Sequence, residues 1–448
     1  MSTDTTPAAR TAAVASTALL TDHYELTMLE AALRSGAAHR RSVFEVFARR
    51  LPNGRRYGVV AGTGRLLDAL THFRFGDAEI EQLARAGVVD SQTLDWLSAY
   101  SFSGDITGYA EGDAYFPGSP LLVVESTFAE GVILETLALS ILNHDSAIAA
   151  AASRMTAAAD GRPCIEMGSR RTHEQAAVAA ARAAYIAGFD TTSNLEAGRS
   201  FGVPTAGTAA HAFTLLHDTE REAFQAQVDC LGPGTTLLVD TYDVTRAVQT
   251  AVDVAGTGLG AVRLDSGDLL QQAREVREQL DSLGATKTHI VVTSDLDEFA
   301  IAALQAGPVD AYGVGTSLVT GSGAPTAGMV YKLVAREDAS GELIGVAKKS
   351  QDKLSIAGRK IALRRMRDGV ADAELIGIGE RPEVDSSQTS RDLLVPLVRS
   401  GEVVAIGTLE DARQRHADSM AELPAQAVQL SRGEPVVPTI YQGADVTP

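Results

Sequence analysis

Val309-Asp-Ala-Tyr-Gly-Val-Gly-Thr-Ser317 is a short apolar run that ends in two glycines one residue apart and two hydroxyl side chains. An apolar pair, Leu318-Val319, follows it. Glycines so spaced let backbone N–H groups approach an anion with no Cβ in the way. Thr316 and Ser317 add hydroxyl donors. Taken alone, a glycine-rich turn most often only turns the chain. Its meaning comes from the segments before it, which repeat one rhythm of short apolar run, polar loop and helical run.

That rhythm begins near residue 160. Cys164-Ile-Glu-Met167 precedes a helical run, His173–Ala187, which Gly188 closes as a C-cap would. Phe189–Thr192 precedes Asn194–Arg199, and Val203–Ala206 precedes Thr208–Leu216. Thr235–Asp240 precedes Val244–Val254, and Leu259–Leu264 precedes Asp268–Leu283. His289–Thr293 precedes Leu296–Ala306, and Val309–Tyr312 ends at the glycine pair. Seven such units in about 160 residues predict a parallel α/β arrangement, and their count and spacing favour an irregular barrel over an open sheet.

The flanks read differently. Residues 1–18 are rich in Ala, Thr and Ser and predict a disordered tail rather than a signal peptide. Residues 19–150 form a first α/β segment. Within it Ser42–Ala48 alternates as a strand, Arg65–Leu70 and Ala78–Ala84 read as helical, and Trp96–Phe102, Asp105–Tyr109 and Pro120–Glu125 read as short strands and turns. Glu130–Ala159 predicts one or two buried helices. The barrel takes 151–345, and 346–448 returns to mixed character, with a basic stretch, Lys348–Arg365, carrying seven Lys or Arg.

Composition narrows the function. The net charge of −18, from 39 basic and 57 acidic residues, argues against a nucleic-acid partner. An anionic substrate would then need positive charge concentrated in its site. No uninterrupted apolar run reaches membrane-spanning length, so no membrane partner is expected. Cys164 and Cys230 form no C-x-x-C and point to a reducing, cytoplasmic setting.

Ligands of parallel α/β folds sit at the carboxyl ends of the strands. Those ends carry Gly168-Ser-Arg-Arg171, Ser193-Asn194, Gly207-Thr-Ala-Ala-His211, Asp240-Thr-Tyr-Asp243, Arg263-Leu-Asp-Ser-Gly-Asp268, Ser294-Asp295 and the glycine pair. Arginine forks, neutral donors and carboxylates on one rim suit a phosphorylated substrate with a divalent metal. Each residue also has a plainer reading. His211 can be a satisfied core histidine, Asp265 can cap the next helix, and Asp240 and Asp243 can form turns.

Together with Thr21-Asp-His-Tyr-Glu-Leu-Thr-Met28, these motifs resemble, in order and approximate spacing, the nicotinate phosphoribosyltransferase family over about Leu19–Arg365. The resemblance implies the type II phosphoribosyltransferase fold, an irregular α/β barrel with an α/β sandwich domain built from the N- and C-terminal segments. It implies transfer of phosphoribosyl from phosphoribosyl pyrophosphate (PRPP) to nicotinate, giving nicotinate mononucleotide and pyrophosphate. ATP is the co-substrate, acting through a phosphorylated histidine, with Mg²⁺ as cofactor. By motif position the histidine is His211, joined in catalysis by Arg263 and Asp265, with Asp265 also near the metal. Tyr24, Met167, Arg170, Asn194 and Arg263 fall on the nicotinate side. Asp22, Arg170, Ser266, Ser294, Asp295, Gly315 and Thr316 fall on the phosphate side. Tyr24 and Asp22 resemble residues donated by the neighbouring subunit of a homodimer with shared sites.

The nearest rivals are a nicotinamide phosphoribosyltransferase, a decarboxylating quinolinate-type enzyme and a non-catalytic mononucleotide-binding barrel. Asn194 separates the first, because the nicotinamide enzyme has an aspartate at the comparable place, which would repel a carboxylate substrate. Two departures stand out. Met167 replaces an aromatic of the nicotinamide enzyme, and Ala357 precedes Gly358 where the family pattern has proline.

Overall fold

The computed structural model describes residues 15–348, 356–404 and 407–443. The strands Cys164–Glu166, Thr191–Thr192, Thr236–Leu238, Ala261–Leu264, His289–Val292 and Ala311–Val314 form one sheet. Every pairing within it is parallel. Cys164–Glu166 lies beside Ala311–Val314, so the first and last strands of the series are neighbours. A parallel bridge from Thr192 to Thr205 adds the third run, Val203–Ala206, at one edge. Thr236–Leu238 holds the other edge, so the arc is an incomplete barrel among the described residues.

These strands are short Val, Ile and Leu runs because parallel strands covered by helices are buried on both faces. Leu237, Val262, Ile290, Val292 and Val314 are fully buried in one core with Ala180, Ala183, Ala247, Ala251 and Ala273 of the covering helices. The 25-residue helix Glu135–Ala159 is rich in alanine and is buried on most of its surface. Alanine pairs the best helix propensity with a small side chain, so neighbouring helices approach closely. With Phe128–Val132 it is long and apolar enough to cross a membrane, but 67% of its most apolar window is buried inside the fold.

A seven-stranded antiparallel sheet joins the two ends of the chain. Its order is Leu343–Gly345, Met329–Glu337, Arg41–Ala48, Leu122–Thr127, Asp105–Gly108, Val395–Arg399 and Glu402–Val403. The strands Met329–Glu337 and Leu343–Gly345, which lie within 151–345, are therefore part of this sheet. A four-stranded sheet, Thr389–Asp392, Lys360–Arg367, Val370–Ile378 and Thr439–Gln442, packs on it, with Ala362 and Ile376 sharing a core with Val46 and Val124. Glu45 and Lys360, each 2% exposed, pair across the two sheets at 2.6 Å. Removing one partner of such a pair would strand a charge in the core.

Three sequence expectations change. Trp96–Ser98 is the end of a helix, Ser91–Ser98, because Asp90 caps its first turn by accepting from Thr93 N–H at 2.8 Å. Ser16–Ala18 are not tail: Thr17 donates to the Ala69 carbonyl at 2.7 Å and Ala18 is fully buried. Ser42–Ala48 is a strand, but its alternation marks no wet face, since Arg41–Ala48 is buried at every position after Arg41. Residues 1–14 of the expected tail and 349–355 of the basic stretch lie outside the described residues.

Candidate active site

Parallel pairing places every strand end on one rim. The rim centres on His211, the first residue of the helix His211–Leu216. Its side chain is 40% exposed, which removes the core-histidine reading. Nδ1 lies 3.1 Å from the Thr241 hydroxyl oxygen. Nε2 lies 3.8 Å from Asp240 Oδ1 and 3.9 Å from Asp265 Oδ2.

The aspartates divide their roles. Asp243 and Asp268 are helix caps, accepting from Arg246 N–H at 2.8 Å and Gln271 N–H at 3.1 Å. Asp240 and Asp265 face the rim instead. Asp240 Oδ2 accepts from Asp265 N–H at 3.0 Å and from the Ser266 hydroxyl at 2.7 Å. This carboxylate thus holds the loop Asp265–Asp268 in place. Asp265 Oδ1 accepts from the Thr293 hydroxyl, which ties the Asp265 loop to the next strand.

Arg263 leaves its strand toward the same place and donates to the Thr208 hydroxyl. Burial pulls its guanidinium below the ordinary value, with Asp265 and Asp240 acting to raise it and Arg170 to lower it. Arginine stays charged regardless. Its Nε is buried with no hydrogen-bond partner among the described residues. Arg170 is exposed on the same rim.

Asn194 caps the helix Leu195–Phe201, its Oδ1 accepting from Ala197 N–H at 2.9 Å, while Nδ2 donates to Ser169 Oγ at 2.9 Å. The loop of Arg170 is thereby joined to the loop of Asn194. Beneath it, buried Glu166 accepts from Gly168 N–H and from the Thr192 hydroxyl, and burial raises its pKa.

The glycine pair splits in function. Gly313 lies inside the strand Ala311–Val314, and a Cβ there would come within 2.8 Å of Met167 Sδ. It would come closer still to the Thr293 methyl, at 2.5 Å, so Gly313 makes room for Thr293 and Met167 rather than for an anion. Gly315 stands at the start of the short helix Thr316–Val319, with Thr316 exposed. Ser294, at the neighbouring strand end, has φ +134°, a backbone state that costs energy in a non-glycine residue and that clusters at functional sites. Ser294 and Asp295 are both exposed there.

Tyr24 and Asp22 stand apart from this group. The helix His23–Ser35 packs on Phe128–Val132 and Ser91–Ser98. Tyr24 is 45% exposed, and partial burial together with the nearby Glu135 and Glu25 carboxylates raises its pKa. Among the described residues no cluster of three or more His, Cys, Asp or Glu forms a metal cage. The donor set still fits Mg²⁺, which takes one or two carboxylates and completes its shell with water and substrate phosphate. Asp265 would be that carboxylate: its side chain is 39% exposed, while its Oδ1 already accepts from Thr293.

Thr208, Thr241 and Thr293 were not predicted as site residues. A threonine carries little signal of its own; the clue was position, Thr208 and Thr241 lying inside the strand-end motifs and Thr293 just before Ser294-Asp295.

Residues 19–143 match the nicotinate phosphoribosyltransferase (NAPRTase) N-terminal domain model. The chain is 61% identical over 430 residues to nicotinate phosphoribosyltransferase pncB1 of Mycobacterium tuberculosis (strain CDC 1551 / Oshkosh), covering 94% of each chain. It is 31% identical to nicotinate phosphoribosyltransferase of Homo sapiens, over 87% of this chain and 84% of the human one. The crystal structure of human nicotinic acid phosphoribosyltransferase superposes with a TM-score of 0.79 at 26% identity, over 94% of this chain and 97% of that one. The chain belongs to the nicotinate phosphoribosyltransferase family.

Proposed function

We propose that this protein transfers phosphoribosyl from PRPP to nicotinate, yielding nicotinate mononucleotide and pyrophosphate, with ATP hydrolysis coupled through phosphorylation of His211. The observation that carries this is the meeting of His211, Arg263 and Asp265 on one rim, in a chain of this family. A half-exposed imidazole between a hydroxyl and two carboxylates is a suitable acceptor for a phosphoryl group. Arg263 and Arg170 supply the concentrated positive charge that an anionic substrate needs in a chain of net charge −18.

The pyridine nitrogen of nicotinate is already a nucleophile, so the protein's main work is alignment of two bound substrates. Displacement at the ribose C1 builds charge on departing pyrophosphate. Arg170, the Gly315–Thr316 turn, Ser266, Ser294 and Asp295 line the phosphate side. Mg²⁺, when bound at Asp265, supplies charge neutralisation for the pyrophosphate. Met167 and Asn194 bound the nicotinate side, and the neutral Asn194 amide tolerates the substrate carboxylate.

A homodimer completes the site in this reading. Leu19, Leu20, Tyr24 and Met28 are exposed just before and along the first half of the helix His23–Ser35, and Leu195, Leu215, Leu216 and Tyr242 are exposed on rim helices and loops. Apolar surface of this kind supports contact between two copies, with Tyr24 and Asp22 of one subunit brought to the rim of the other. Both cysteines are free thiols, in keeping with a cytoplasmic setting.

The test is product formation from labelled nicotinate, nicotinamide or quinolinate with PRPP. Nicotinate mononucleotide from nicotinate, at least about 100-fold faster than product from nicotinamide, is expected for a site that pairs a neutral amide and arginines with a carboxylate. Comparable use of nicotinamide, or carbon dioxide release from quinolinate, would overturn it.

A further inference from the structure

His211 is held on both sides by two adjacent residues of one loop. Thr241 reaches Nδ1 at 3.1 Å. Asp240 Oδ1 faces Nε2 at 3.8 Å, from a side chain only 2% exposed. Both polar interactions of Asp240 with the protein use its other oxygen: Oδ2 accepts from Asp265 N–H and the Ser266 hydroxyl. Oδ1 is buried with no hydrogen-bond partner among the described residues. A buried carboxylate oxygen without a donor is costly, and the donor facing this one is His211 Nε2.

The two sides of the ring differ in kind. A carboxylate accepts only, whereas a hydroxyl both donates and accepts. Nε2 faces Asp240 Oδ1, a buried acceptor-only oxygen without a partner among the described residues, which favours the ring proton on Nε2. Nδ1 then holds the lone pair, and Thr241 donates to it. We infer that Thr241 and Asp240 are positioning residues that fix His211 as its Nε2–H tautomer and present the Nδ1 lone pair for phosphoryl capture. This rests on the reading of His211 as the phosphoryl acceptor.

The step balances. The Nδ1 lone pair forms a bond to the γ-phosphorus of ATP as the bond from that phosphorus to the bridging oxygen breaks, and ADP leaves with the electron pair. The proton stays on Nε2, and the positive charge gained by the ring lies against the Asp240 carboxylate. Released from Nδ1, the Thr241 hydroxyl is placed to donate to a phosphoryl oxygen. Attack of water on phosphorus breaks the Nδ1–P bond, releases inorganic phosphate and restores the tautomer.

The experiment compares wild type, Thr241→Val and Thr241→Ser with γ-labelled ATP, following acid-labile, base-stable phosphohistidine. Thr241→Val is expected to slow phosphorylation about tenfold, as loss of one useful hydrogen bond does, with KM for ATP changed less than about twofold. Thr241→Ser is expected to recover most of the rate, and ³¹P–¹⁵N coupling in ring-labelled wild type to place phosphorus on Nδ1. A wild-type rate in Thr241→Val, no recovery in Thr241→Ser, or phosphorus on Nε2 would overturn the inference. Should Thr241→Val fail to fold, Thr241→Ser and the coupling still decide. Absence of any phosphohistidine in wild type would overturn the acceptor reading itself, and the inference with it.

Discussion

Asn194 Nδ2 donates to Ser169 Oγ at 2.9 Å, so the residue proposed to face the base side of the rim also joins the loop of Arg170 to its own. Its Oδ1 is meanwhile spent on the Ala197 N–H cap. Aspartate caps a helix as well as asparagine does. Asn194→Asp should therefore keep the fold, and melting temperature within a few degrees checks this. What changes is the Ser169-facing end, from donor to acceptor, with a new negative charge toward the substrate carboxylate. We expect kcat/KM for nicotinate to fall by about 10–100-fold and the preference to move toward nicotinamide, since a like charge nearby costs on the order of 1–3 kcal/mol. An unchanged base preference would contradict this role.

Arg263 offers a planar fork, with Nε buried and without a partner among the described residues and another nitrogen bonded to Thr208. Lysine keeps the charge but not the fork. Arg263→Lys should lower kcat/KM about 10–100-fold, the loss of one two-point contact to an anion, while Tm stays within a few degrees. Steady-state kinetics beside a thermal melt separates this from misfolding.

His416 gives a stability prediction away from the rim. It is 7% exposed, its Nε2 lies 2.9 Å from Ser153 Oγ, and burial together with Arg413 lowers its pKa to about 4. Because the native pKa lies below the unfolded value of 6.5, the unfolded chain binds the extra proton between those values. The contribution is therefore complete above about pH 6.5 and lost as pH falls through 4, amounting to about 3 kcal/mol. Denaturant titrations at pH 7 and pH 4.5 should show a smaller loss of stability in His416→Gln than in wild type. Equal losses would assign the acid sensitivity elsewhere.

Glu220 acts in the opposite sense. Burial and Asp243 raise its carboxyl to about 7, and Oε1 is buried without a partner among the described residues. A raised native pKa means stability that is full below the unfolded value of 4.5 and lost as pH rises through 7. The side chain is half-buried, so solvent screening reduces the effect to about 1 kcal/mol. Glu220→Gln should be more stable than wild type at pH 8 and no more stable at pH 5, read as a Tm difference at each pH.

The barrel was legible because its signal is local. Ala261-Val-Arg-Leu264 and His289-Ile-Val-Val292 are apolar, bounded by polar loops, and paired with close neighbours in the chain. The sandwich was not. Arg41–Ala48 pairs with Met329–Glu337 across almost the whole chain, and nothing in either run names the other. The same applies at the rim. His211, Arg263 and Asp265 stand out by side-chain chemistry, whereas Thr241 and Thr293 acquire meaning only from what lies opposite. Gly313 misled in a different way: a glycine beside a phosphate-type turn leaves room for the Thr293 methyl and the Met167 sulfur.

The most direct measurement is the rate of nicotinate mononucleotide formation from labelled nicotinate and PRPP, with and without ATP, in wild type and His211→Ala. The account predicts that ATP stimulates the wild type, that labelled γ-phosphate appears on His211, and that His211→Ala loses both ATP hydrolysis and the stimulation. ATP hydrolysis and ATP-stimulated product formation at wild-type rates in His211→Ala would contradict it.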